Sequence, residues 1–238
     1  MSATQMKFER CEKKYILSVP AYKQLAELLV PQMEIDRYGL CTVSSLYYDT
    51  DDYRIIRASA ERPVYKEKLR LRAYGTPARD STVYLELKKK LDGVVYKRRI
   101  ALPLREAALY LDHGVDPGQD SQIFREIDWF VRRYRPRAKV LLGGDRLALY
   151  GKDDPELRIT FDFKLRWRDY NLDLAQGSLG QNLLPPDQCL MEIKARQAIP
   201  IWLARLLSER ELYPCSFSKY GICYKNHILS KGEIRHAG

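Results

Sequence analysis

The chain has 238 residues and a formal net charge of +10, from 41 Lys and Arg against 31 Asp and Glu. Its hydrophobic fraction of 45% is ordinary for a globular protein and excludes an intrinsically disordered chain. The excess of positive charge predicts an anionic partner, such as a nucleotide, polyphosphate, nucleic acid or an acidic membrane surface. We expect one domain over residues 1–238, since no repeat, low-complexity segment or flexible linker interrupts the sequence.

The cysteine and histidine content argues against several common kinds of site. Five cysteines occur without a Cys-x-x-Cys pair, which predicts a reduced, cytoplasmic protein. Three scattered histidines argue against a histidine metal site and a Ser-His-Asp triad. No apolar run approaches the roughly 20 residues that span a bilayer, so we expect no membrane span in this chain. The Walker sequence GxxxxGK[ST] is absent, which excludes that class of NTPase.

Strand patterns dominate the chain, and helices are fewer. In chain order the predicted strands are Lys7–Leu17, Leu40–Tyr48, Val64–Tyr74, Thr82–Lys90, Val94–Leu102, Ala138–Tyr150, Leu157–Arg166 and Cys189–Arg196. The predicted helices are Ala21–Val30, Leu104–His113, Ser121–Tyr134, Ile201–Glu211 and Lys219–Leu229. Asp92-Gly93 predicts a tight hairpin, because both central residues of a type I′ turn need positive φ. These elements predict an α+β fold with eight mostly antiparallel strands in a barrel or strongly curved sheet, and helices packed outside.

Basic residues occupy every second position in several predicted strands. Residues i and i+2 of a strand share one face, so these basic residues point the same way while apolar residues point the other. One face carries Arg10, Glu12 and Lys14 in the first strand, Lys66, Lys68, Arg70 and Arg72 in the third, Tyr84, Glu86, Lys88 and Lys90 in the fourth, Lys97 and Arg99 in the fifth, Arg158, Asp162 and Lys164 in the seventh, and Glu192, Lys194 and Arg196 in the eighth. Only Arg98 breaks the alternation in the fifth strand.

The charged face has two interpretations. The ordinary one is a sheet with its core on one side and water on the other. Like charges on neighbouring strands repel each other, however, and few acids are interspersed. The acids lie mainly in two matching triplets, Glu86-Leu87-Lys88 and Glu192-Ile193-Lys194. We therefore favour a sheet curled around a passage, with the cations turned inward to bind a polyanion and a divalent metal.

Several segments together resemble one known family. They are FERCEKKYIL, YYDT, KLRLRAYG, YLELKKKLDG with VYKRR, DR, LRITFD, LMEIK and SFSKYGICY. In sequence and order they are similar to the VTC domain, a branch of the CYTH-like triphosphate tunnel metalloenzymes, over roughly Phe8 to Tyr224. The resemblance implies an eight-stranded antiparallel β tunnel with helices packed outside. It also implies transfer of the γ-phosphate of ATP onto a growing inorganic polyphosphate chain, assisted by a divalent cation, Mn²⁺ or Mg²⁺.

The resemblance also implies the residues of the site. Its catalytic set is Lys14, Arg70, Arg72, Lys88, Lys97, Arg146, Arg158 and Lys219. Glu192 would hold the metal, and Glu86 is a candidate second acid. Ser218, at the start of the last helix, would lie beside the terminal phosphates, and the facing of the strands adds Arg10 and Lys194 as substrate-binding residues. We expect Tyr220, Tyr224 and the three tryptophans to pack in the core rather than to act on substrate.

Two other functions remain open at the level of sequence. The first is an inorganic triphosphatase or nucleotide hydrolase on the same fold. The first strand reads Glu9-Arg10-Cys11-Glu12-Lys13-Lys14 and lacks the strict ExExK triplet of the hydrolytic tunnel enzymes, which favours the polymerase. The second is a non-catalytic module that binds polyphosphate or nucleic acid. No helix-turn-helix, zinc-finger or RRM signature occurs, so the expected partners are ATP and inorganic polyphosphate rather than nucleic acid.

Overall fold

Alternation of apolar and charged residues gives this chain a large antiparallel sheet. The computed structural model describes residues 11–61 and 63–230. Its strands are β1 (Cys11–Ser18), β2 (Met33–Ile35), β3 (Cys41–Asp49), β4 (Tyr65–Tyr74), β5 (Thr82–Leu91), β6 (Val94–Pro103), β7 (Arg137–Gly151), β8 (Arg158–Arg168), β9 (Gln181–Asn182) and β10 (Gln188–Ala195). Its helices are α1 (Val19–Leu29), α2 (Arg54–Ala60), α3 (Leu104–His113), α4 (Gln122–Tyr134), α5 (Ile201–Glu209) and α6 (Lys219–Cys223), with a 3₁₀ turn at Leu174–Gln176 and a π-helical turn at Tyr224–Ile228.

The strand order confirms the predicted fold class. Eight strands are hydrogen-bonded in the order β1-β10-β8-β7-β3-β4-β5-β6, while the short β2 and β9 pair with β7 and β8. These eight are the strands that the sequence predicts. Within the described residues the end strands β1 and β6 are not paired with each other, so the hydrogen-bonded order is open.

The described chain divides into two compact units, each assembled from three separate segments. The first comprises residues 11–41, 145–164 and 184–217, and the second comprises residues 42–144, 165–183 and 218–230. The expectation of a single domain therefore stays a prediction.

The core of the second unit lies on one face of β4, β5 and β6. Leu69, Leu71, Leu85 and Leu87 are at most 1% exposed on that face. Helix α4 covers them with the stripe of Phe124, Ile127 and Phe130, and α3 adds further apolar side chains. Ser121 caps α4 by accepting a hydrogen bond from the Phe124 N–H at 3.0 Å, as its position in the sequence predicts. Because helices bury this face, the opposite face of the same strands carries the charges.

The first unit has its own core, built in the same way. Apolar side chains on one face of β1, β8 and β10 pack against residues of α1 and α5. Tyr15, Ile159, Phe161, Met191 and Ile193 are at most 4% exposed there. Helix α1 begins at Val19, two residues before the predicted start at Ala21, because Ser18 accepts a hydrogen bond from the Ala21 N–H.

Local turn chemistry accounts for most boundaries and for one missed helix. Asp92 and Gly93 have φ of 44° and 81°, which confirms the predicted hairpin between β5 and β6. Helix α2 was not predicted, because no capping residue directly precedes it. In its first turn the Arg54 N–H instead donates to Thr50 Oγ1 at 2.8 Å, and the N–H groups of Ile55 and Ile56 donate to the buried carboxylate of Asp49 at 2.9 and 3.0 Å.

Arg98 breaks the alternation of β6 for a structural reason. Its side chain lies on the helix-covered face, where its Nε donates to Glu126 of α4 at 3.1 Å. Lys89 of β5 also contacts Glu126, at 3.2 Å. The Glu126 carboxylate thus pairs with two cations beneath α4. The alternation of side chains on the other face of β5 and β6 is not affected. Across residues 11–61 and 63–230, no helix combines the length and apolarity that a membrane crossing needs.

Substituting Leu71 with Ala should destabilise the protein by about 2–5 kcal/mol, because the side chain is 1% exposed and its removal leaves a cavity in the core of the second unit. Leu109→Ala is the matched control, since Leu109 is 45% exposed on α3 and should change the free energy of unfolding by less than about 0.5 kcal/mol. Urea unfolding of the three proteins measures the difference. Equal losses for both variants would contradict the assigned core.

Candidate functional site

One face of β4, β5 and β6 in the second unit concentrates positive charge. Antiparallel pairing places Lys68 opposite Lys88, and Lys88 opposite Lys97, a set that we call the lysine row. The next row along the strands is Arg70, Glu86 and Arg99, which we call the arginine row. We call this face of the three strands the cationic face; its charged residues are one carboxylate, Glu86, and eight basic residues, Lys66, Lys68, Arg70, Arg72, Lys88, Lys90, Lys97 and Arg99. The predicted facing of these strands is therefore confirmed.

Glu86 holds the cations of this face together. Its side chain is 1% exposed. One carboxylate oxygen accepts from Arg70 Nε at 2.8 Å, and the other lies 2.8 Å from Lys97 Nζ and 2.6 Å from Arg99 Nε. Burial alone raises the pKa of Glu86, but the charges of Arg70, Arg72 and Lys97 outweigh burial and hold the pKa well below its usual range. Glu86 is thus an ionised anchor for three cations.

Strand β3, which pairs with β4, contributes polar side chains that accept hydrogen bonds from two arginines of the cationic face. Arg70 Nη1 donates to the Tyr47 hydroxyl at 3.2 Å, and Arg72 Nε donates to Ser45 Oγ at 3.3 Å. Burial alone raises the pKa of Tyr47, but the charges of Arg70, Arg72 and Lys68 with the Arg70 hydrogen bond outweigh it and lower the pKa to about 8. A phenol with such a pKa reports the strongly positive potential of this face.

Helix α6 is fixed against the same strands. Ser218 caps it by accepting from the Gly221 N–H at 3.2 Å, and Lys68 Nζ donates to the same Ser218 hydroxyl at 2.9 Å. The Tyr220 ring stacks on Tyr47 with centroids 4.8 Å apart, and its hydroxyl donates to buried Asp49 at 3.0 Å. Tyr220 and Tyr224 are 2% and 8% exposed, which confirms their predicted packing role.

The charged face of the first unit is organised differently, because its signs alternate. Lys14 of β1 lies opposite Glu192 of β10, and Glu12 lies opposite Lys194. Lys14 Nζ is 3.3 Å from Glu12, and Lys194 Nζ is 2.7 Å from Glu192. Lys14 also donates to the Phe217 carbonyl at 3.0 Å. Each of these two lysines therefore has a carboxylate neighbour on its own strand.

Two arginines complete the charged residues of the first unit. Arg146 forms a two-pronged pair with Asp162, which is 2% exposed, through bonds of 2.6 and 2.8 Å. Arg158 lies opposite Lys194 in the register, and its guanidinium carbon is 5.1 Å from the centre of the Tyr150 ring. The Arg158 Nε is buried without a hydrogen-bond partner. Arg146 is thus held by its own carboxylate, whereas Arg158 keeps unused donor capacity.

Glu192 is the residue expected to hold a divalent cation. Its side chain is 12% exposed and contacts Lys194. No group of three or more His, Cys, Asp and Glu that could hold a metal occurs in residues 11–61 and 63–230. Hard divalent ions need about six oxygen ligands, and Mg²⁺ commonly takes most of them from water and substrate phosphates. Glu192 would therefore hold such an ion together with phosphate and water oxygens rather than in a complete cage of protein ligands.

The structure groups the predicted residues within each unit. The cationic face of the second unit contains Arg70, Arg72, Lys88 and Lys97. Ser218 and Lys219 belong to the same unit. Lys14, Arg146, Arg158, Glu192 and Lys194 belong to the first unit, and Arg10 lies outside the described residues. Sequence reasoning missed Arg99 and Lys68 as site residues, although the two-residue spacing placed both on this face. It also missed Tyr47, although the YYDT segment that resembles the family begins at this residue.

The expected core packing of the three tryptophans holds for two of them. Trp167 is 2% exposed, as predicted, and Trp202 packs against the core of the first unit. The expectation is wrong for Trp129, which is 55% exposed on α4 and lies beside the Arg133 guanidinium. Its helix turns Ile127 and Phe130 into the core, so Trp129 points away from it.

Glu86→Gln should lower the free energy of unfolding by about 2–3 kcal/mol, because it removes a buried charge that pairs with three cations. Since the folded-state pKa of Glu86 is lowered, its stabilising effect is full above the ordinary glutamate pKa and is lost as the pH falls toward the lower folded value. The gap between wild type and variant should therefore close only in strong acid. Glu209→Gln, on the exposed end of α5, is the control for urea unfolding across pH. A gap that stays constant down to the lowest accessible pH contradicts the anchor role.

Tyr47→Phe should remove one tyrosine that ionises with a midpoint near pH 8, seen as tyrosinate absorbance in the near ultraviolet. The unfolded phenol has a pKa of about 10, so the unfolded state binds more protons between pH 8 and 10. Wild type should accordingly gain stability relative to the variant as the pH rises through that window. A flat difference between the two proteins would show that Tyr47 does not feel the cationic face.

Comparisons with known proteins agree with this geometry. The sequence model of the VTC domain matches residues 9–228. No curated protein matches the chain. Among solved structures, a candidate adenylate cyclase from Bacillus halodurans is similar with a TM-score of 0.55 at 14% identity, covering 87% of this chain and 92% of that one. A candidate adenylyl cyclase from Hippeastrum with a dominant triphosphatase activity gives a TM-score of 0.54 at 16% identity, covering 90% and 94%.

At these identities the two solved structures show the fold alone, which is the triphosphate tunnel fold. The VTC match spans nearly the whole chain and includes segments of both units. The chain belongs to the VTC domain family.

Proposed function

We propose that the protein is an ATP-dependent polyphosphate polymerase, which transfers the γ-phosphate of ATP onto a growing inorganic polyphosphate chain. The observation that carries this proposal is the cationic face of the second unit, eight basic residues around one anchored carboxylate. Phosphoryl transfer needs positioning and neutralisation of the phosphate oxygens rather than covalent help from the protein. Membership of the VTC domain family supports the choice of a phosphate chain as substrate.

The individual residues suit different parts of that task. Arg70 and Arg72 supply planar guanidinium groups that donate two hydrogen bonds to one phosphate. Lys88, Lys97 and Lys68 supply compact charges that tolerate a moving chain, because an ammonium group imposes little direction. Ser218 and Lys219, at the start of α6, are proposed to contact terminal phosphates. In the first unit, Lys14, Arg146, Arg158 and Lys194 are proposed phosphate contacts.

Glu192 is the proposed ligand of a Mn²⁺ or Mg²⁺ ion. When bound to phosphate oxygens, such an ion reduces their negative charge and so favours attack on phosphorus. The chain itself supplies Glu192 and the neighbouring Lys14 and Lys194, whose charges also attract phosphate. The first strand lacks the ExExK triplet, which supports polymerisation over hydrolysis.

Purified protein with ATP labelled at the γ-phosphate and Mn²⁺ should produce a ladder of labelled polymer on a polyphosphate gel. Arg72→Ala should reduce the rate about 100-fold, as expected for one lost charge-stabilising donor. Arg125→Ala is the control, because Arg125 is a 65% exposed arginine on α4 paired with Asp120. Its rate should equal that of wild type.

The other outcomes identify the alternatives. Labelled orthophosphate without polymer indicates a triphosphatase or nucleotide hydrolase. Unchanged ATP, together with duplex DNA that displaces bound ATP, indicates a non-catalytic nucleic-acid module. Wild-type activity in Arg72→Ala would remove the cationic face from the mechanism.

A further inference from the structure

The side chains of the cationic face change in character along the strands. The lysine row is followed by the arginine row, and Arg72 lies opposite Tyr84 in the row after that. Tyr74, two residues beyond Arg72, ends β4 on the same face. We call Tyr74 and Tyr84 the tyrosine end. Successive rows are about 6.8 Å apart, because each residue of a strand advances about 3.4 Å. The basic rows thus extend about 14 Å from Arg72 to Lys68.

The tyrosine end is joined to the arginines by direct contacts. The Arg99 guanidinium carbon lies 4.4 Å from the centre of the Tyr84 ring, and Tyr74 meets Tyr84 edge-on with centroids 5.9 Å apart. Burial alone raises the pKa of Tyr74, but the charge of Arg72 and a hydrogen bond from Arg99 outweigh it and lower the pKa. Arg99 covers Tyr84, whereas Tyr74 stays 49% exposed. An aromatic ring therefore remains accessible to a ligand beside the basic rows.

We propose that Tyr74 is the stacking surface for the base of the nucleoside triphosphate, whose phosphates then lie along the arginine and lysine rows. This inference rests on the proposed function. A nucleoside triphosphate is itself a planar aromatic group followed by a chain of negative charge, and the face presents the complementary sequence of groups. Stacking on an aromatic side chain accepts any base, since every base has a π-face. The tyrosine end would therefore distinguish a nucleotide donor from an inorganic phosphate chain, without selecting strongly among nucleotides.

The ordinary alternative is that Tyr74 only packs against Tyr84. A packing residue at a strand end contributes to the fold but not to the difference between two phosphate ligands. The two roles can therefore be separated by comparing ATP with inorganic tripolyphosphate, which carries the phosphates without the base. Tyr84 is unsuitable for the comparison, because Arg99 covers its ring. Tyr74 is bound to Arg99 through a hydrogen bond to its hydroxyl, and Tyr74→Phe reports the loss of that bond separately from the loss of the ring.

Isothermal titration calorimetry without divalent cation measures binding of ATP and of tripolyphosphate under conditions that limit turnover. Tyr74→Ala should weaken ATP about tenfold and leave tripolyphosphate unchanged, a loss within the range of one base–aromatic stack. Tyr74→Phe keeps the ring and should bind ATP like wild type. Tyr96→Ala is the matched control, because Tyr96 is 45% exposed on β6 but lies opposite Lys89, on the other face of the strands.

Three results overturn the inference. The first is an unchanged ATP affinity in Tyr74→Ala with both ligands still bound by wild type, which leaves the proposed function standing. The second is an equal loss for ATP and tripolyphosphate in both Tyr74 variants, which shows that the side chain acts through the fold or through Arg72. In the third, wild type binds neither ligand, and the proposed function fails together with the inference.

Discussion

Positive side chains placed directly opposite one another on neighbouring strands set the main constraint on this structure. Lys68, Lys88 and Lys97 occupy adjacent positions of three strands. Two unit charges about 4 Å apart at an effective dielectric of about 20 repel by about 4 kcal/mol, so such a row is costly without an anion. The apolar face of the same strands, with Leu69, Leu85 and other buried side chains under α3 and α4, provides the opposing stability. Core packing on one face thus offsets the repulsion between the cations on the other face.

The two units handle charge in different ways, and the difference has chemical meaning. On the cationic face of the second unit, one carboxylate lies among eight basic residues, so the face carries a large excess of positive charge. In the first unit, Glu12, Glu192 and Asp162 alternate with Lys14, Lys194 and Arg146. A face with alternating charges offers carboxylate oxygens as well as cations. Such a face would suit a divalent cation that is also coordinated by phosphate oxygens. The common strand pattern of the sequence therefore hides two distinct electrostatic environments.

The sequence predicted the parts of the fold that depend on a period of two residues. Strand identity, the cationic face and the hairpin at Asp92-Gly93 all follow from local alternation and turn chemistry. The role of Glu86 could not be predicted, because its three partners lie on both neighbouring strands. The sequence of a single strand does not determine its register with its neighbours. Helix α2 was missed for a similar reason, since its capping carboxylate, Asp49, precedes the first capped N–H by six residues. Contacts at a distance along the chain, rather than the local pattern, decided these cases.

Cationic side chains that repel one another keep fixed positions only when other side chains of the protein form hydrogen bonds or ion pairs with them. Arg70 is held by Glu86 on one side and by Tyr47 on the other. The Tyr47 ring stacks on Tyr220, whose hydroxyl donates to Asp49. Burial and the neighbouring Asp49 raise the pKa of Tyr220, so the phenol stays protonated and remains a donor. The same Asp49 carboxylate fixes the first turn of α2, so one buried group supports both this helix and an arginine of the cationic face. A phosphate chain would then meet donors whose ordering cost has already been met in folding, which is the physical basis of preorganised binding.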